Sequence, residues 1–359
     1  MKLEDIGFYT LSDGRAQNVS VTSPLQRCEL ILTGACNFRC EYCRGLSQHA
    51  KGTLSLDQAK AVVKKWASHG LVNIRFSGGE PTLWPGLVEL VKYTKSKGVK
   101  RVALSTNGSA SPELYKELYG AGVNDFSVSL DACCAATGDM MAGKGGMWER
   151  VVNNIQMLSK VTYVTVGVVL DERNVPELPG IIQLAKDLGV SDIRIISTAQ
   201  ENKPLPVEDI QDDPRYPILK YRLNNIRHGL NVRGLKPTDS NRCRLVLDDM
   251  AIANGIHFPC IIYMREHGAP IGSADQSMEA IRAERERWAL THDTHTDPIC
   301  QKNCLDVCID YNNRCAAFAA DRIARGAGPD SVHLRKVDGG VHQGPGSAVP
   351  DQVDSVGVR

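Results

Sequence analysis

Short β-branched runs alternate with amphipathic helical stretches from Cys28 to about Ser197, and this alternation limits the possible folds most strongly. Six strand–helix units can be distinguished, the first strand being CELILT at 28–33 and the last DIRIIS at 192–197. Such alternation predicts a parallel sheet with right-handed crossovers. Six units fit a doubly wound sheet or a barrel, and in both the chemistry lies at the carboxyl ends of the strands.

Polar and glycine-rich clusters follow four of these strands. They are a cysteine loop at 34–45, SGGEP at 77–81, STNG at 105–108 and SLDACC at 129–134. Because the carboxyl ends of parallel strands share one edge of a sheet, we expect these clusters to lie together.

The loop GACNFRCEYCRG places Cys36, Cys40 and Cys43 within eight residues. One interpretation is a zinc site completed by His49, and another is three buried free thiols. A third is a [4Fe–4S] cluster with three protein ligands and one open iron, which can bind a small molecule as an open zinc site does.

The Cys-x3-Cys-x2-Cys spacing after a first strand, with Tyr42 before the last cysteine, resembles the radical S-adenosylmethionine (radical SAM) superfamily. The segment Gly78-Gly79-Glu80-Pro81 resembles the GGE motif of that family. The resemblance covers Cys28 to about Ser197 and implies a partial (β/α)6 TIM-like barrel. It also implies a [4Fe–4S] cluster that binds S-adenosylmethionine (SAM), whose reductive cleavage yields a 5′-deoxyadenosyl radical that abstracts hydrogen.

The resemblance also assigns roles to individual residues. Glu80 supplies an anion for the SAM ammonium group, and the two glycines allow backbone carbonyls to approach it. The other implied SAM contacts are Tyr42, Pro81, Ser105, Asn107, Ser129 and Asp131. The polar side chains among them are also common turn formers.

A second group of cysteines follows residue 240. Cys243 and Cys260 flank a predicted hairpin with an Asn254-Gly255 turn, which would bring the two thiols together. Downstream lie Cys300, Cys304, Cys308 and Cys315, which would share one face of a helix. The group resembles the SPASM/twitch extensions of radical SAM enzymes, which implies at least one auxiliary [4Fe–4S] cluster. We expect its ligands to be Cys243, Cys260 and two of the downstream four.

Two further sets of residues are candidates at the substrate side. Cys133 and Cys134 follow the fourth strand, and either could donate a hydrogen atom to a substrate radical or be a packing residue. Polar groups near the predicted barrel mouth either bind substrate or form a solvated rim; they are Glu149, Arg150, Asp171 and Arg194.

Composition excludes several classes of partner. The formal net charge is +1 and no long run of like charges occurs, so neither nucleic acid nor a membrane is expected as a partner. The N-terminus has no apolar signal region, and we expect a cytoplasmic protein with reduced thiols.

The predicted organisation is an α/β barrel followed by a small cysteine-rich α+β module. The expected segments are an N-terminal extension (1–27), the radical SAM core (28–200), a linker (201–240), the auxiliary cluster module (241–325) and a disordered tail (326–359).

We expect an enzyme that dehydrogenates or epimerises a small molecule such as a sugar or natural-product intermediate. Its electron donor would be a flavodoxin or ferredoxin. One alternative is a SPASM-type maturase of a ribosomal peptide, although only 27 residues precede Cys28, too few for the recognition domain that many maturases carry. The other is a zinc-binding protein without enzymatic activity.

Overall fold

A single sheet of nine strands organises the molecule in the computed structural model, which describes residues 13–325. The strands are β1 (Arg27–Thr33), β2 (Asn73–Gly78), β3 (Arg101–Thr106), β4 (Asp125–Ser129), β5 (Tyr163–Leu170), β6 (Asp192–Ser197), β7 (Asp249–Ala253), β8 (Ile256–Phe258) and β9 (Gly272–Ser273). Neighbours β1 to β6 pair in parallel and in sequence order, as the alternation predicts.

Twelve helices connect or cover these strands within the described part of the chain. They are α1 (Asp13–Asn18), α2 (Leu56–Ala67), α3 (Leu87–Ser96), α4 (Pro112–Ala121), α5 (Ala135–Ala142), α6 (Trp148–Ser159), α7 (Leu178–Asp187), α8 (Pro217–Arg227), α9 (Ile261–Arg265), α10 (Met278–Thr291), α11 (Pro298–Asn303) and α12 (Asp306–Ala324). Short 3₁₀ turns occur at Pro81–Leu83, Val175–Glu177 and Leu245–Leu247.

Local sequence explains where the crossover helices begin and end. Ser55 and Gln58 form a reciprocal capping box at the start of α2. Ser111 caps α4 ahead of a proline in its first turn, and Gly122 ends α4 with a left-handed φ of 119°. The apolar faces of α2, α3, α4, α6 and α7 pack on the sheet and form the main core with fully buried side chains such as Trp66, Phe76 and Phe126.

The predicted hairpin is present, and it extends the same sheet. β7 pairs in parallel with β1, on the side opposite β2, and β8 returns antiparallel to β7. Asn254 and Gly255 both have positive φ, at 46° and 74°, as a two-residue hairpin turn requires. The second group of cysteines is therefore attached directly to the strand that leads into the first.

The segment predicted as a linker contains regular structure. Helix α8 lies within 201–240 and packs against β6, with Leu219 and Leu223 almost wholly buried. Asp192 at the start of β6 accepts hydrogen bonds from the backbone N–H groups of Ile218 and Leu219, which fixes the first turn of α8. The linker prediction was wrong for residues 217–227, because the proline-rich approach concealed a short amphipathic helix.

The segment boundaries otherwise stay predictions. The tail at 326–359 and the first twelve residues of the N-terminal extension lie outside the described residues. Within 13–325, the structure contains no helix long and apolar enough to cross a membrane.

Candidate active site

The loop after β1 directs three thiols into one cleft at the carboxyl edge of the sheet. Cys36, Cys40 and Cys43 all line this cleft, which has a volume of about 260 Å³. The backbone N–H of Phe38 donates to Cys36 Sγ at 3.4 Å, and that of Gly45 donates to Cys43 Sγ at 3.3 Å. Burial raises the pKa of Cys36, and the N–H donor from Phe38 opposes that shift.

The spacing of these thiols discriminates between a single ion and a cluster. Tetrahedral zinc with Zn–S bonds of about 2.3 Å holds its sulfurs roughly 3.8 Å apart. In the described part of the chain, the ligand atoms of His292, Asp297 and Cys300 all lie within 4.8 Å of one another. The three thiols of the loop do not form such a group. His49 is exposed and does not line the cleft. The loop therefore fits a polynuclear cluster better than a zinc ion.

Two glycines at the end of β2 allow the cysteine loop to pack against the sheet. A Cβ at Gly78 would lie 2.3 Å from the carbonyl oxygen of Thr33, and one at Gly79 would lie 2.3 Å from that of Ala35. The backbone N–H of Gly79 instead donates to Thr33 O at 2.8 Å. These glycines line the cleft, and their lack of side chains allows the cysteine loop to approach the end of β2.

The Glu80 side chain is held by several hydrogen bonds, and its predicted contact with SAM stays a prediction. Its carboxylate is fully buried and does not line the cleft. It accepts hydrogen bonds from the N–H and hydroxyl of Thr82, the hydroxyl of Thr106 and the N–H of Asn107. Burial raises the pKa of Glu80, although these donors oppose the shift. The carboxylate thus ties the end of β2 to the end of β3, and neither it nor Pro81, which begins a 3₁₀ turn, faces the cleft.

The remaining predicted contacts do converge. The side chains that line the cleft beside the three thiols are Tyr42, Ser105, Asn107, Ser129 and Asp131. The Tyr42 hydroxyl donates to Asp131 Oδ2 at 2.5 Å, and the Val169 N–H donates to Asp131 Oδ1 at 2.7 Å. A carboxylate has further lone pairs, so Asp131 can still accept hydrogen bonds from ligand hydroxyls.

The Cys133 and Cys134 side chains lie beside Glu177, and their suggested role as hydrogen donors stays a prediction. Cys133 Sγ donates to Glu177 Oε2 at 3.3 Å, and Cys134 precedes α5 as its exposed N-terminal cap. Neither thiol lines the cleft. Both cysteines therefore lie next to Glu177, at the end of the 3₁₀ turn before α7.

Five thiols converge in a second, largely apolar pocket. They are Cys243, Cys260, Cys300, Cys304 and Cys308. Burial, followed by the proximity of other thiols, raises the pKa of Cys260 and Cys300 strongly. Thiols packed this closely in an apolar pocket do not ionise without a cation, and a bound metal cluster supplies one. The donor set therefore fits an iron–sulfur cluster, with one thiol more than four ligand positions require.

Cys315 lies outside this pocket, and the four downstream cysteines do not share one helix. The chain leaves helical geometry at Cys304 and Leu305, with ψ of 130° and 145°, so α11 and α12 are separate. Cys300 is on α11, whereas Cys308 and Cys315 are on α12. Cys315 is 1% exposed and packs with Tyr311 in an apolar cluster. Its expected role as a ligand has no support from this geometry.

Arg285 positions the hairpin beside the second thiol group. Its buried guanidinium donates to the carbonyls of Val246, Phe258 and Pro259 at 2.6, 3.1 and 3.1 Å, and also to that of Asp249. These bonds hold both strands of the hairpin, and Cys260 follows directly after Pro259.

A further cavity of about 240 Å³, here called the central cavity, lies between the two thiol groups. It shares Ser105, Ser127, Arg194 and Arg265 with the cleft, and it shares Cys260 and Cys308 with the second pocket. Sequence reasoning missed this cavity and placed Arg194 at the barrel mouth. The sequence did contain an indication of this cavity. Polar residues such as Glu29, Arg75 and Arg194 interrupt otherwise apolar strands at positions that face the interior.

Comparison with known proteins adds a family match. Residues 30–185 match the model of the Radical SAM superfamily. AdoMet-dependent heme synthase of Methanosarcina barkeri is 37% identical over 162 residues, which cover 44% of this chain and 46% of that protein. A probable GTP 3′,8-cyclase of Saccharolobus islandicus is 32% identical over 176 residues, covering 48% and 57%. The chain thus spans about half the length of these curated relatives.

Solved structures share the fold at low sequence identity. Streptococcus suis SuiB, solved with its precursor peptide SuiA, superposes with a TM-score of 0.55 at 13% identity, over 81% of this chain and 69% of SuiB. AnSMEcpe, solved with AdoMet and the Kp18Cys peptide, gives a TM-score of 0.53 at 14% identity, over 84% and 99%. The predicted α/β fold with a partial barrel is confirmed.

Proposed function

Because residues 30–185 match the model of the Radical SAM superfamily, we propose that the chain is a radical SAM enzyme that abstracts hydrogen from a C–H bond of a small molecule. The substrate lies in the central cavity, and the outcome is dehydrogenation or epimerisation. When bound at the Cys36 loop, a [4Fe–4S] cluster and SAM supply the hydrogen abstraction, with electrons from a donor such as a flavodoxin or ferredoxin. A second cluster at Cys243, Cys260 and their neighbours is part of the proposal.

The position of the central cavity is the observation that carries this proposal. A molecule inside it borders the cleft through Ser105 and Ser127 and borders the second pocket through Cys260 and Cys308. A thiol left over at the second pocket would lie near enough to return a hydrogen atom, as epimerisation requires.

Each part of the cleft has a separate task in this proposal. Cys36, Cys40 and Cys43 hold the cluster, and Gly78 and Gly79 leave room for SAM against the strand ends. Asp131, oriented by the Tyr42 hydroxyl, accepts hydrogen bonds from ligand hydroxyls.

Asp131 predicts a pH dependence of SAM affinity. Burial, opposed by hydrogen bonds from Tyr42 and Val169, raises the pKa of Asp131 to about 6. Protonation removes acceptor capacity, so SAM affinity is expected to fall about five- to tenfold when the pH drops from 7.5 to 5. Asp131→Asn is expected to bind SAM weakly and equally at both values. Equilibrium dialysis under anaerobic conditions measures this.

The control and the sign for stability follow from the same pKa. Asp187→Asn, at an exposed position on α7, is expected to keep the wild-type pH profile of SAM affinity.

Because the pKa of Asp131 is raised in the folded state, the stability contributed by Asp131 is complete below the ordinary Asp pKa and is lost as the pH rises through about 6. Loss of SAM affinity at pH 5 therefore cannot come from unfolding at this group. An unchanged profile in Asp131→Asn would contradict the assignment.

The class of substrate can be tested without knowing its identity. Reconstituted protein is incubated with SAM, dithionite and extract of the source cells, and formation of 5′-deoxyadenosine is measured. Stimulation by the low-molecular-mass fraction that survives protease treatment supports a small molecule. Stimulation that protease abolishes would favour a peptide substrate instead.

The same reaction in heavy water separates the two outcomes. Epimerisation incorporates solvent deuterium at the product carbon, whereas dehydrogenation gives a product two hydrogens lighter with no new deuterium at carbon. A product showing neither change would contradict both outcomes.

A further inference from the structure

The central cavity has an unusual excess of positive charge. Seven arginines line it, against the three carboxylates of Glu29, Asp125 and Asp249. Four of the arginines have an acidic partner, in the pairs Arg27–Asp249, Arg75–Asp125, Arg222–Asp306 and Arg44–Glu266. The other three are Arg194, Arg233 and Arg265, and for these the described residues offer no carboxylate within 4.0 Å.

The three remaining arginines bond only to neutral oxygens. Arg194 donates to the Ser127 hydroxyl at 3.4 Å, and Arg233 donates to the carbonyl of Ser197 at 3.4 Å. Arg265 donates to two carbonyls, those of Gly45 and Gly78, at 3.1 and 2.8 Å. Within residues 13–325, the buried Nε of Arg194 and Nη1 of Arg233 have no hydrogen-bond partner.

Unsatisfied guanidinium atoms in such a site are costly. Arg233 is only 2% exposed, and a buried guanidinium N–H without an acceptor costs free energy. Burial, and then repulsion from nearby arginines, lowers the pKa of both Arg194 and Arg233 to about 10. Among the carboxylates that line the cavity in the described chain, Glu29 alone has no salt bridge to an arginine. Even if Glu29 balances one of the three arginines without an acidic partner, two positive charges stay uncompensated.

We propose that the central cavity binds a dianionic oxyanion group, either a phosphate monoester or a pair of carboxylates, and that this group belongs to the substrate. The assignment of the anion to the substrate rests on the proposed function, whereas the anion site itself rests on the arginines. Guanidinium groups suit this task because they donate two parallel hydrogen bonds to phosphate or carboxylate oxygens. Arg194 and Arg265 also border the cleft, so the bound anion fixes the substrate next to the Cys36 loop.

The test measures binding of inorganic phosphate and of succinate to the reconstituted full chain, by calorimetry at about 150 mM NaCl, which screens loose surface binding. Saturable binding of at least one probe is expected. Arg194→Gln and Arg233→Gln are each expected to weaken it about tenfold or more, since each removes charged donors. Arg194→Lys keeps the positive charge but loses the two parallel N–H donors of the guanidinium, and its affinity is expected to lie between those of wild type and Arg194→Gln. Arg287→Gln, at an exposed site on α10, is the matched control and is expected to bind like wild type.

The outcomes identify the anion and separate this inference from the proposed function. Tighter binding of phosphate points to a phosphate ester, and tighter binding of succinate points to a dicarboxylate. Absence of saturable binding to both probes, or equal affinity in wild type and the Arg194 and Arg233 variants, overturns the inference. SAM cleavage is measured on the same samples. Cleavage without anion binding contradicts only this inference. Anion binding without cleavage contradicts only the proposed function.

Discussion

Replacement of Cys36, Cys40 and Cys43 together by alanine is expected to abolish SAM cleavage and to halve the iron content. Two four-iron clusters give about eight irons in the reconstituted wild type, and the variant should keep about four. The physical reason is that the three thiols line the cleft, whereas the five thiols of the second pocket lie at the two ends of the β7–β8 hairpin and in the α11–α12 region. Iron and sulfide analysis, with electron paramagnetic resonance of the reduced protein, measures both quantities.

A matched control uses thiols outside both groups. Cys133→Ala/Cys134→Ala removes two cysteines that face the 3₁₀ turn before α7 and is expected to keep all the iron. A triple variant with undiminished iron would show that the loop holds none. Zinc in wild type and variant after anaerobic reconstitution would favour the non-enzymatic alternative. Loss of all iron in the triple variant would leave the second pocket without a cluster.

Gly79→Ala is expected to lower SAM cleavage at least about a hundredfold without removing any polar group. The new Cβ would lie 2.3 Å from Ala35 O and 2.8 Å from Gly34 O, so the loop that carries Cys36 has to move by roughly 1 Å. Displacement of that size at a reacting centre costs about a hundredfold in rate. We also expect a loss of roughly 1–3 kcal/mol in the free energy of unfolding, measured by chemical denaturation.

Gly120→Ala is the control for this change. Gly120 lies in α4, and a Cβ there meets no atom within 4 Å. Alanine is the better helix former by about 1 kcal/mol, so this variant should equal or exceed the wild type in stability and keep its activity. Full activity in Gly79→Ala would mean that the strand end does not determine the position of the cysteine loop.

The sequence allowed correct prediction of those features that depend on local pattern. Alternation of strand and helix predicted the parallel sheet, and Asn254-Gly255 predicted the hairpin, because each is encoded by neighbouring residues. Convergence of Ser105, Asn107 and Asp131 on the cleft also followed, since strand ends in a parallel sheet share one edge.

Sequence reasoning did not anticipate side-chain contacts that depend on the tertiary fold. Glu80 has donors from Thr82 and Thr106, which hold its carboxylate inside the protein, and no local pattern specifies that arrangement. Cys133 follows a strand as predicted, but its hydrogen bond with Glu177, 44 residues away in the chain, depends on the tertiary fold. The break between α11 and α12 lacks proline or glycine at Cys304 and Leu305, so no breaker residue marks it.

The pairing of β1 with β7 has a consequence for the growing polypeptide on the ribosome. Arg27 and Asp249, which face each other in that ladder, are 222 residues apart in the chain. At about 5–20 residues per second, β1 waits roughly 10–45 s for this partner after it has been made. During that interval one edge of a strongly apolar strand is uncovered and can pair with other nascent chains. Chaperone demand and yield on overexpression should therefore depend on how fast the ribosome reaches β7.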